Sequence, residues 1–334
     1  MSLPVIVRRV ANRALDGLFV PPLDRLFARR FRGRVVCLLY HRVAEPGAEP
    51  ILDTFGAPPI PPLELERELR QLVAWGGRFM TLDELDKGAW PSAREFGVLL
   101  CFDDGFLDTY AVGLPIAQSI GARAVVFQIS AMLTEAPALL WEHALYWLGA
   151  NAGRLKVLAE RLEGAFAPLA RADAQTVVAT LRETANASQL KAIVSAALAA
   201  CGERDAFARL ALRWYPDASA LRDALRQGHE IGSHGEHHFK RSALDAGAFE
   251  AELVASKVAL AEVCGRTPRA FSYPFNSHVE GDEAIVARHF DWAFTVDGGP
   301  LVPSFTRSSV PRFTWPGPHP NALRLRRWLR TGHI

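Results

Sequence analysis

The sequence predicts an α/β fold built on a parallel sheet or a barrel, and two features of the chain support this prediction. Short apolar runs typical of buried strands alternate with segments of helical periodicity. Helices that alternate with strands return the chain to the same end of the sheet, so that neighbouring strands run parallel. The 334 residues, 49% of them hydrophobic and 22% charged, suffice for one large α/β domain or two smaller ones.

The predicted strands are short and apolar, and the helices between them have one apolar face. The strands cover 34–40, 79–82, 97–102, 122–129, 230–233, 270–273 and 292–296, with a last short strand within 308–313. The helices cover 63–75, 82–87, the stretch from 106 to about 119, 245–263 and 282–289. Asp245 is the expected N-cap of its helix, because its carboxylate accepts hydrogen bonds from free backbone N–H groups.

A helix-rich stretch at 133–226 interrupts this alternation. It is rich in Ala, Leu, Arg and Glu, and it predicts helices at 141–148, 155–163, 172–183, 187–200 and 218–226. Strand signals resume directly after it, so we interpret it as an insertion into one domain that spans 34–313. Residues 1–33 are a basic N-terminal segment, and residues 314–334 are a basic C-terminal tail.

Charge and cysteine content argue against some function classes. A net charge of +2 gives no support for nucleic acid as a partner. The four cysteines lie far apart without a Cys-x-x-Cys pair, which argues against a cysteine zinc site and fits a reducing compartment. No segment resembles a signal peptide or a transmembrane helix, so a cytoplasmic location is expected.

The N-terminal segment interleaves arginines with leucines and phenylalanines, and two interpretations stay open. It could lie as a basic amphipathic segment on an anionic membrane surface, which would make the protein peripheral at the inner membrane. It could instead pack on the domain with its arginines in water, since Pro21 and Pro22 divide it into two short pieces.

Two adjacent carboxylates, Asp103 and Asp104, stand where a buried strand ends before Gly105. Neighbouring carboxylates repel each other, and a bound cation is the simplest way to offset that repulsion. The alternative is a solvated turn in which one aspartate caps the following helix.

Two histidines follow the 230–233 strand in a similar way. His234 and His238 are spaced i and i+4, which would put both imidazoles on one side of a helical turn, a common unit for zinc. The alternative is a run of surface histidines. Because the carboxyl ends of strands meet at one face of a barrel or sheet, a carboxylate and both imidazoles would make an open three-ligand zinc site. His237 is expected to face away, with a structural or supporting role.

A third stretch, Phe271-Ser272-Tyr273-Pro274-Phe275, leaves a strand through a proline. Such a turn can present a backbone N–H to a substrate oxyanion, here that of Phe275. The alternative is an ordinary strand exit with aromatic packing.

In this order, the three stretches resemble the motifs of the polysaccharide deacetylase family, also called the NodB-homology or carbohydrate esterase family 4 group. The residues Phe102-Asp103-Asp104-Gly105 resemble its first motif, 234–238 its second and 271–275 its third. The stretches 38–43 and 291–295 are also similar to pieces of bacterial members that act on exopolysaccharide. The resemblance spans about residues 34–313 and implies a distorted (β/α) barrel of the NodB-homology type with a helical insertion.

The resemblance also implies a metal-dependent N-deacetylase of acetylated amino sugars in a surface polysaccharide or glycan precursor. Asp103 would be the general base for a metal-activated water, and Phe275 would supply the oxyanion N–H. Asp104, His234 and His238 would hold the divalent metal, most naturally Zn²⁺. The candidate substrate contacts are Tyr273, Pro274, Trp141, Glu142 and Arg312. For Trp141, an aromatic beside a carboxylate suits a sugar, and the alternative is core packing against Trp147.

The chain departs from the family pattern at four points. Gly235 stands where a Ser or Thr is usual, and Asn276 replaces a glycine. Ser272 stands where an arginine often orients the base, so that role is empty or is filled by Arg269 or Arg312. No histidine lies near 310–313 to act as general acid, and His41, at the end of the first strand, is the candidate. Its alternative is a buried histidine bonded to a carbonyl.

Two other functions compete with deacetylation. The first is a carbohydrate-binding protein on the same fold with an impaired site, which the missing acid and arginine would explain. The second is a nucleotide-sugar glycosyltransferase that uses Asp103 and Asp104 as its acidic pair, although this leaves His234 and His238 unexplained.

Overall fold

Parallel strands form a single sheet in the computed structural model, which describes residues 28–134, 140–202 and 204–314. The expectations for the basic segment up to residue 27 and for the tail beyond 314 lie outside these residues. The strands are β1 (Val35–Tyr40), β2 (Gly77–Phe79), β3 (Phe96–Phe102), β4 (Ala124–Gln128), β5 (Glu230–Ser233), β6 (Ala270–Ser272), β7 (Trp292–Phe294) and β8 (Phe313–Thr314). Their order is β7-β6-β5-β4-β3-β1-β8, and β2 pairs with the first half of β3.

The segment from Val310 to Thr314 brings the two edges of the sheet together. Val310 bridges to Phe294 on β7, and β8 pairs with Leu38 and Leu39 of β1, both in parallel. The sheet therefore curves into a distorted (β/α) barrel, which confirms the predicted fold class. The last strand was expected within 308–313, and pairing begins there but reaches Thr314.

The helices cover the outside of the sheet and form the insertion. They are α1 (Pro50–Phe55), α2 (Pro62–Ala74), α3 (Leu82–Asp86), α4 (Leu114–Ser119), α5 (Ala131–Thr134), α6 (Trp141–Gly149), α7 (Ala152–Ala159), α8 (Ala174–Thr184), α9 (Ala187–Cys201), α10 (Arg204–Trp214), α11 (Ala218–Arg226), α12 (Ala246–Cys264) and α13 (Asp282–Val286). No helix among the described residues is long and apolar enough to cross a membrane.

Local sequence signals explain most helix starts. Asp245 caps α12 by accepting the N–H of Ala248, as predicted. The strand predicted at 79–82 is wrong in its second half, because Thr81 and Glu84 form a capping box that starts α3. Helices α1 and α10 lie where no helix was predicted.

Both faces of strands β1, β3 and β4 are buried, as alternation along a strand requires in a parallel sheet covered by helices. On β1, Val36, Leu38 and Tyr40 pack in the cluster that contains the helix residues Leu65 and Leu69. Val35, Cys37 and Leu39 pack in a second cluster with other strands, including Leu99, Val125 and Phe294. The insertion has its own apolar cluster, which also takes in Leu52, Phe106 and Phe239 from the barrel loops.

Candidate metal centre and active site

The three sequence motifs converge on one cavity of about 380 Å³ at the carboxyl ends of the strands. Asp103 and Asp104 follow β3, while His234 and His238 follow β5. This volume lies within the range of small-molecule sites, roughly 300–1,000 Å³. The other lining residues are Leu39, His41, Phe55, Gly56, Ala57, Phe106, Glu142, His143, Tyr146, Arg182, Tyr273, Phe275, Asn276, Val296 and Thr314.

Asp104, His234 and His238 form a compact cluster of possible metal ligands. One atom from each lies within 4.8 Å of the others, and all three side chains are buried. Oδ1 of Asp104 lies 3.5 Å from Nε2 of His234 and 3.4 Å from Nε2 of His238. One carboxylate oxygen and two imidazole nitrogens are a donor set that suits zinc and leaves a coordination position open for water.

Hydrogen bonds at the other ring nitrogens fix both histidines for this arrangement. Nδ1 of His234 lies 2.8 Å from the carbonyl oxygen of Ser272, so it carries the proton and donates. Nδ1 of His238 lies 2.7 Å from Oε2 of Glu142 and donates in the same way. Both Nε2 lone pairs therefore face Asp104, which is the tautomer that metal-binding histidines need.

The pKa values of the two histidines differ because their partners differ. Burial lowers the pKa of His234 to about 4 and outweighs the attraction of Asp103, so this ring is neutral at physiological pH. Burial also lowers the pKa of His238, but the Glu142 carboxylate outweighs it and raises the net value.

Glu142, from the insertion, supports the cluster of possible metal ligands. It is buried at the start of α6, where the Tyr146 hydroxyl donates to it and the Arg182 guanidinium lies 3.5 Å away. Burial raises its pKa, but His238 and the other cationic neighbours outweigh burial and hold the pKa at about 2. The Glu142 carboxylate contacts His238 and its side chain also lines the cavity, so its sugar contact stays a prediction.

Glu142→Gln should weaken zinc binding by about 10–100-fold, because the carboxylate that orients His238 and raises its basicity is lost. Zinc needs neutral His238, so its affinity should fall as the pH drops through the raised pKa of that ring. In Glu142→Gln that pKa is lower, and the acid limb should move to lower pH. Titration with zinc between pH 5 and 8 measures both effects, and an acid limb that does not move would contradict the assignment.

Asp103 is held apart from the cluster by Arg312. The guanidinium donates to both carboxylate oxygens of Asp103, at 2.6 and 2.9 Å, and the Ser272 hydroxyl donates to Oδ2 at 3.1 Å. Burial raises the pKa of Asp103, but the positive charge of the Arg312 guanidinium outweighs burial and keeps the pKa well below its usual range. Asp103 is therefore an ionised carboxylate beside the ligands, with Oδ2 3.7 Å from Nε2 of His234.

Arg312, not Arg269, fills the position left by Ser272. Arg312 is fully buried and also donates to the carbonyl of Thr295 at 3.1 Å. Arg269 forms ion pairs with Glu230, Asp83 and Asp86, away from the cavity. Arg312 does not line the cavity, so its geometry suits the orientation of Asp103 instead of the substrate contact that was expected.

All four non-glycine residues with a left-handed backbone in the described part of the chain line this cavity. They are Asp104, His238, Phe275 and Asn276, with φ between 53° and 68°. Such backbone strain concentrates at functional sites. It also corrects the expected helical turn, because 234–238 is a loop in which Gly235 (φ 79°) and His238 reverse the chain. Glycine adopts this left-handed backbone without strain, which explains why position 235 holds a glycine and not the usual Ser or Thr.

The turn after β6 forms another part of the cavity wall. The Phe275 ring lies 4.4 Å from the His238 ring, centre to centre. Its N–H stands in the first turn of the short 3₁₀ helix Pro274–Asn276, where N–H groups lack partners within the helix. Tyr273 lines the cavity as well, whereas Pro274 does not.

His41 lines the cavity and is close enough to Asp103 to lower the pKa of that carboxyl. Trp141 lies elsewhere, because its ring stacks on Phe239 at 5.3 Å and its Nε1 donates to the carbonyl of His237. The predicted sugar stacking of Trp141 therefore lacks an exposed ring face in the cavity. The packing partner expected from the sequence was Trp147.

A second cluster, Glu236, His237 and Glu252, lies next to the site and stabilises its loop. Glu252 accepts the N–H groups of Glu236 and His237 at 3.1 and 2.8 Å, and it accepts from Nδ1 of His237 at 2.8 Å. Nε2 of His237 faces Lys191 at 3.4 Å. His237 thus has a supporting role, as its position between the two ligands suggested.

Sequence reasoning missed His143, Tyr146 and Arg182, which line the cavity from the insertion. His143 follows Glu142 directly, and Tyr146 lies one helical turn further along α6. Their position on α6 could have identified them as cavity residues, since α6 begins soon after a strand leaves the sheet. Nothing local marked Arg182, which reaches the cavity from α8.

Comparison with known proteins gives one family match and several similar folds. The family model described as polysaccharide deacetylase matches residues 171–289, a range that includes the two histidines but not Asp103 or Asp104. IcaB from Ammonifex degensii is 16% identical with a TM-score of 0.56, and the alignment covers 90% of this chain and 98% of that one.

Two further solved structures have the same fold. The Streptococcus pyogenes deacetylase PplD, solved with acetate, is 15% identical with a TM-score of 0.54, covering 84% of this chain and 92% of that one. A de-N-acetylase from Aggregatibacter actinomycetemcomitans is 15% identical with a TM-score of 0.51, covering 84% and 94%. No curated protein matches the chain.

Proposed function

We propose that the chain is a member of the polysaccharide deacetylase family and removes acetyl groups from N-acetylated amino sugars with the help of a bound divalent cation, most naturally zinc. The substrate would be a surface polysaccharide or a glycan precursor. One observation supports this function most strongly: three ligand atoms converge beside a second carboxylate that Arg312 keeps ionised. That pairing is what hydrolysis of an acetamide at a metal centre requires.

Asp104, His234 and His238 would hold the cation, because their donor atoms converge and each histidine uses Nδ1 for a hydrogen bond, which leaves Nε2 to bind the cation. A bound cation would lower the pKa of a water molecule and polarise the acetamide carbonyl. Asp103 accepts the proton from the attacking water, since its low pKa keeps it ionised and the hydrogen bond from the Ser272 hydroxyl fixes its orientation. The Phe275 N–H donates to the oxygen on which negative charge develops.

Acetate release from N-acetylglucosamine oligomers by metal-stripped protein, with and without added zinc, tests this proposal. Zinc-dependent release is the expected result. Stoichiometric zinc binding without any release would favour the carbohydrate-binding alternative. The absence of an arginine at position 272 had motivated that alternative, and the bidentate Arg312–Asp103 contact weakens it.

His41→Ala should slow acetate release by about 10²-fold without loss of zinc, because we propose His41 as the group that protonates the departing amine. The measurement is the rate of acetate release at saturating substrate, together with the zinc content of the same sample. His289→Ala is a suitable control, since this histidine pairs with Glu250 on the surface. An unchanged rate in His41→Ala would exclude His41 as the acid.

A further inference from the structure

His143 lines the cavity from α6, next to Glu142, but takes no part in the proposed hydrolysis. Only 3% of the residue is exposed, so its imidazole lies almost entirely within the protein. The ring packs against Phe106, with the ring centres 5.1 Å apart, and makes a T-shaped contact with Trp214 at 5.9 Å. Because both neighbours are large and buried, they hold the imidazole in one orientation before any ligand binds.

The Tyr215 hydroxyl determines which ring nitrogen of His143 carries the proton. Its oxygen accepts the N–H of Leu140 at 3.0 Å and lies 2.7 Å from Nδ1 of His143. With Leu140 as a donor to its oxygen, the hydroxyl gives its own proton to the bond with Nδ1. Burial lowers the pKa of His143 to about 4, so the ring is neutral at physiological pH and its one proton lies on Nε2.

The Nε2–H group of His143 is available to a ligand. Within the described ranges this nitrogen has no hydrogen-bond partner, yet solvent reaches it, and the ring lines the cavity. The ring is also close enough to Asp104 and His238 for their charges to act on its pKa, which places it near the cluster of possible metal ligands. A neutral N–H group at such a place suits a hydrogen bond to an oxygen, whereas proton transfer to an amine would need the scarcely populated imidazolium.

We infer that His143 is a substrate-binding residue whose Nε2–H donates a hydrogen bond to a hydroxyl group of the N-acetylated amino sugar. In the proposed function the acetamide oxygen interacts with the cation and the Phe275 N–H, and the attached sugar ring carries its hydroxyl groups close by. A donor that is fixed before binding loses little entropy when the bond forms, so it favours one orientation of the sugar. This inference rests on the proposed deacetylase function and deepens it by naming a residue that recognises the sugar.

The first test compares His143→Phe with His143→Gln in the zinc-loaded protein. Phenylalanine keeps the aromatic packing and removes both nitrogens, whereas glutamine can place an amide N–H close to the position of Nε2. With methyl N-acetylglucosaminide as substrate, His143→Phe should raise KM by about tenfold, the scale of one hydrogen bond, at a nearly unchanged kcat. His143→Gln should recover most of this loss. An unchanged KM in folded His143→Phe would overturn the inference.

Substrates that lack one hydroxyl group separate a direct contact from a structural effect. The 3-deoxy, 4-deoxy and 6-deoxy forms of the same methyl glycoside are compared with the parent sugar on the wild-type protein and on His143→Phe. One of the three should lose about tenfold in kcat/KM on the wild-type protein but not on the variant, since the bond is already absent there. Equal losses on both proteins for all three sugars would contradict the proposed contact.

His229→Phe is the matched control for these measurements. His229 is also buried and also uses Nδ1 for a hydrogen bond, but it does not line the cavity. This variant should reproduce a loss of stability without changing the ranking of the four sugars. No acetate from any sugar with wild-type protein and bound zinc would contradict the deacetylase function itself, a result distinct from acetate release that His143 does not influence.

Discussion

His234→Ala and His238→Ala should each lose zinc and all zinc-dependent acetate release. The described site offers three ligands, so removal of one imidazole leaves two, too few to hold a structural or catalytic zinc tightly. Zinc content after dialysis against a metal-free buffer, measured together with acetate release, checks this expectation. The effect should be the largest of any single substitution in the cavity.

His229→Ala is the matched control for these two variants. His229 is also buried, but it lies at the amino end of β5 and accepts the N–H of Ala124 through Nδ1. Its loss should cost stability without changing zinc content. Full zinc retention in His234→Ala or His238→Ala would refute the ligand assignment.

Asp103→Asn should keep zinc and slow acetate release by about 10²–10⁴-fold, the usual contribution of a general base. Asparagine has the same shape and can still accept one hydrogen bond from Arg312, but it cannot take a proton from water. Zinc content, the rate at saturating substrate and the thermal unfolding midpoint of the same sample check this expectation.

Asp108→Asn is the control, because it also removes a carboxylate that pairs with a buried arginine. Asp108 pairs with the buried Arg42 outside the cavity, so this variant should be destabilised without losing activity. Removing one member of a buried ion pair costs about 3–5 kcal/mol in many proteins, so the stability measurement separates misfolding from lost chemistry. Wild-type turnover in a folded Asp103→Asn protein would remove Asp103 as the base.

The sheet was predictable because its strands have simple requirements. A parallel strand buried on both faces reads as a continuous apolar run, and β1, β3 and β4 have such runs. The convergence of 103–104 with 234–238 follows from the same topology, since parallel strands end at one edge. Helix α10 could also have been predicted from the sequence, because Phe207, Leu210 and Ala211 lie on one helical face.

The supporting contacts of the site were not predictable from local pattern. Glu142 and His238 are 96 positions apart, and Asp103 and Arg312 are 209 apart. No spacing rule links such pairs, because each depends on how the insertion or the last strand packs against the barrel. The left-handed backbone at Asp104 and His238 was not predictable either, since non-glycine residues adopt it only where tertiary contacts outweigh the local cost.

The ion pair between Asp103 and Arg312 also determines when the site can form during folding. Asp103 and Arg312 are 209 positions apart, and contacts between residues so distant in sequence slow folding, because a long loop must close before they form. Until the strand segment that carries Arg312 docks between β7 and β1, the Asp103 carboxylate lacks its counter-charge. If Asp103 is the base as proposed, a nascent chain that has not yet added this segment is expected to be inactive, even with the proposed metal ligands already synthesised.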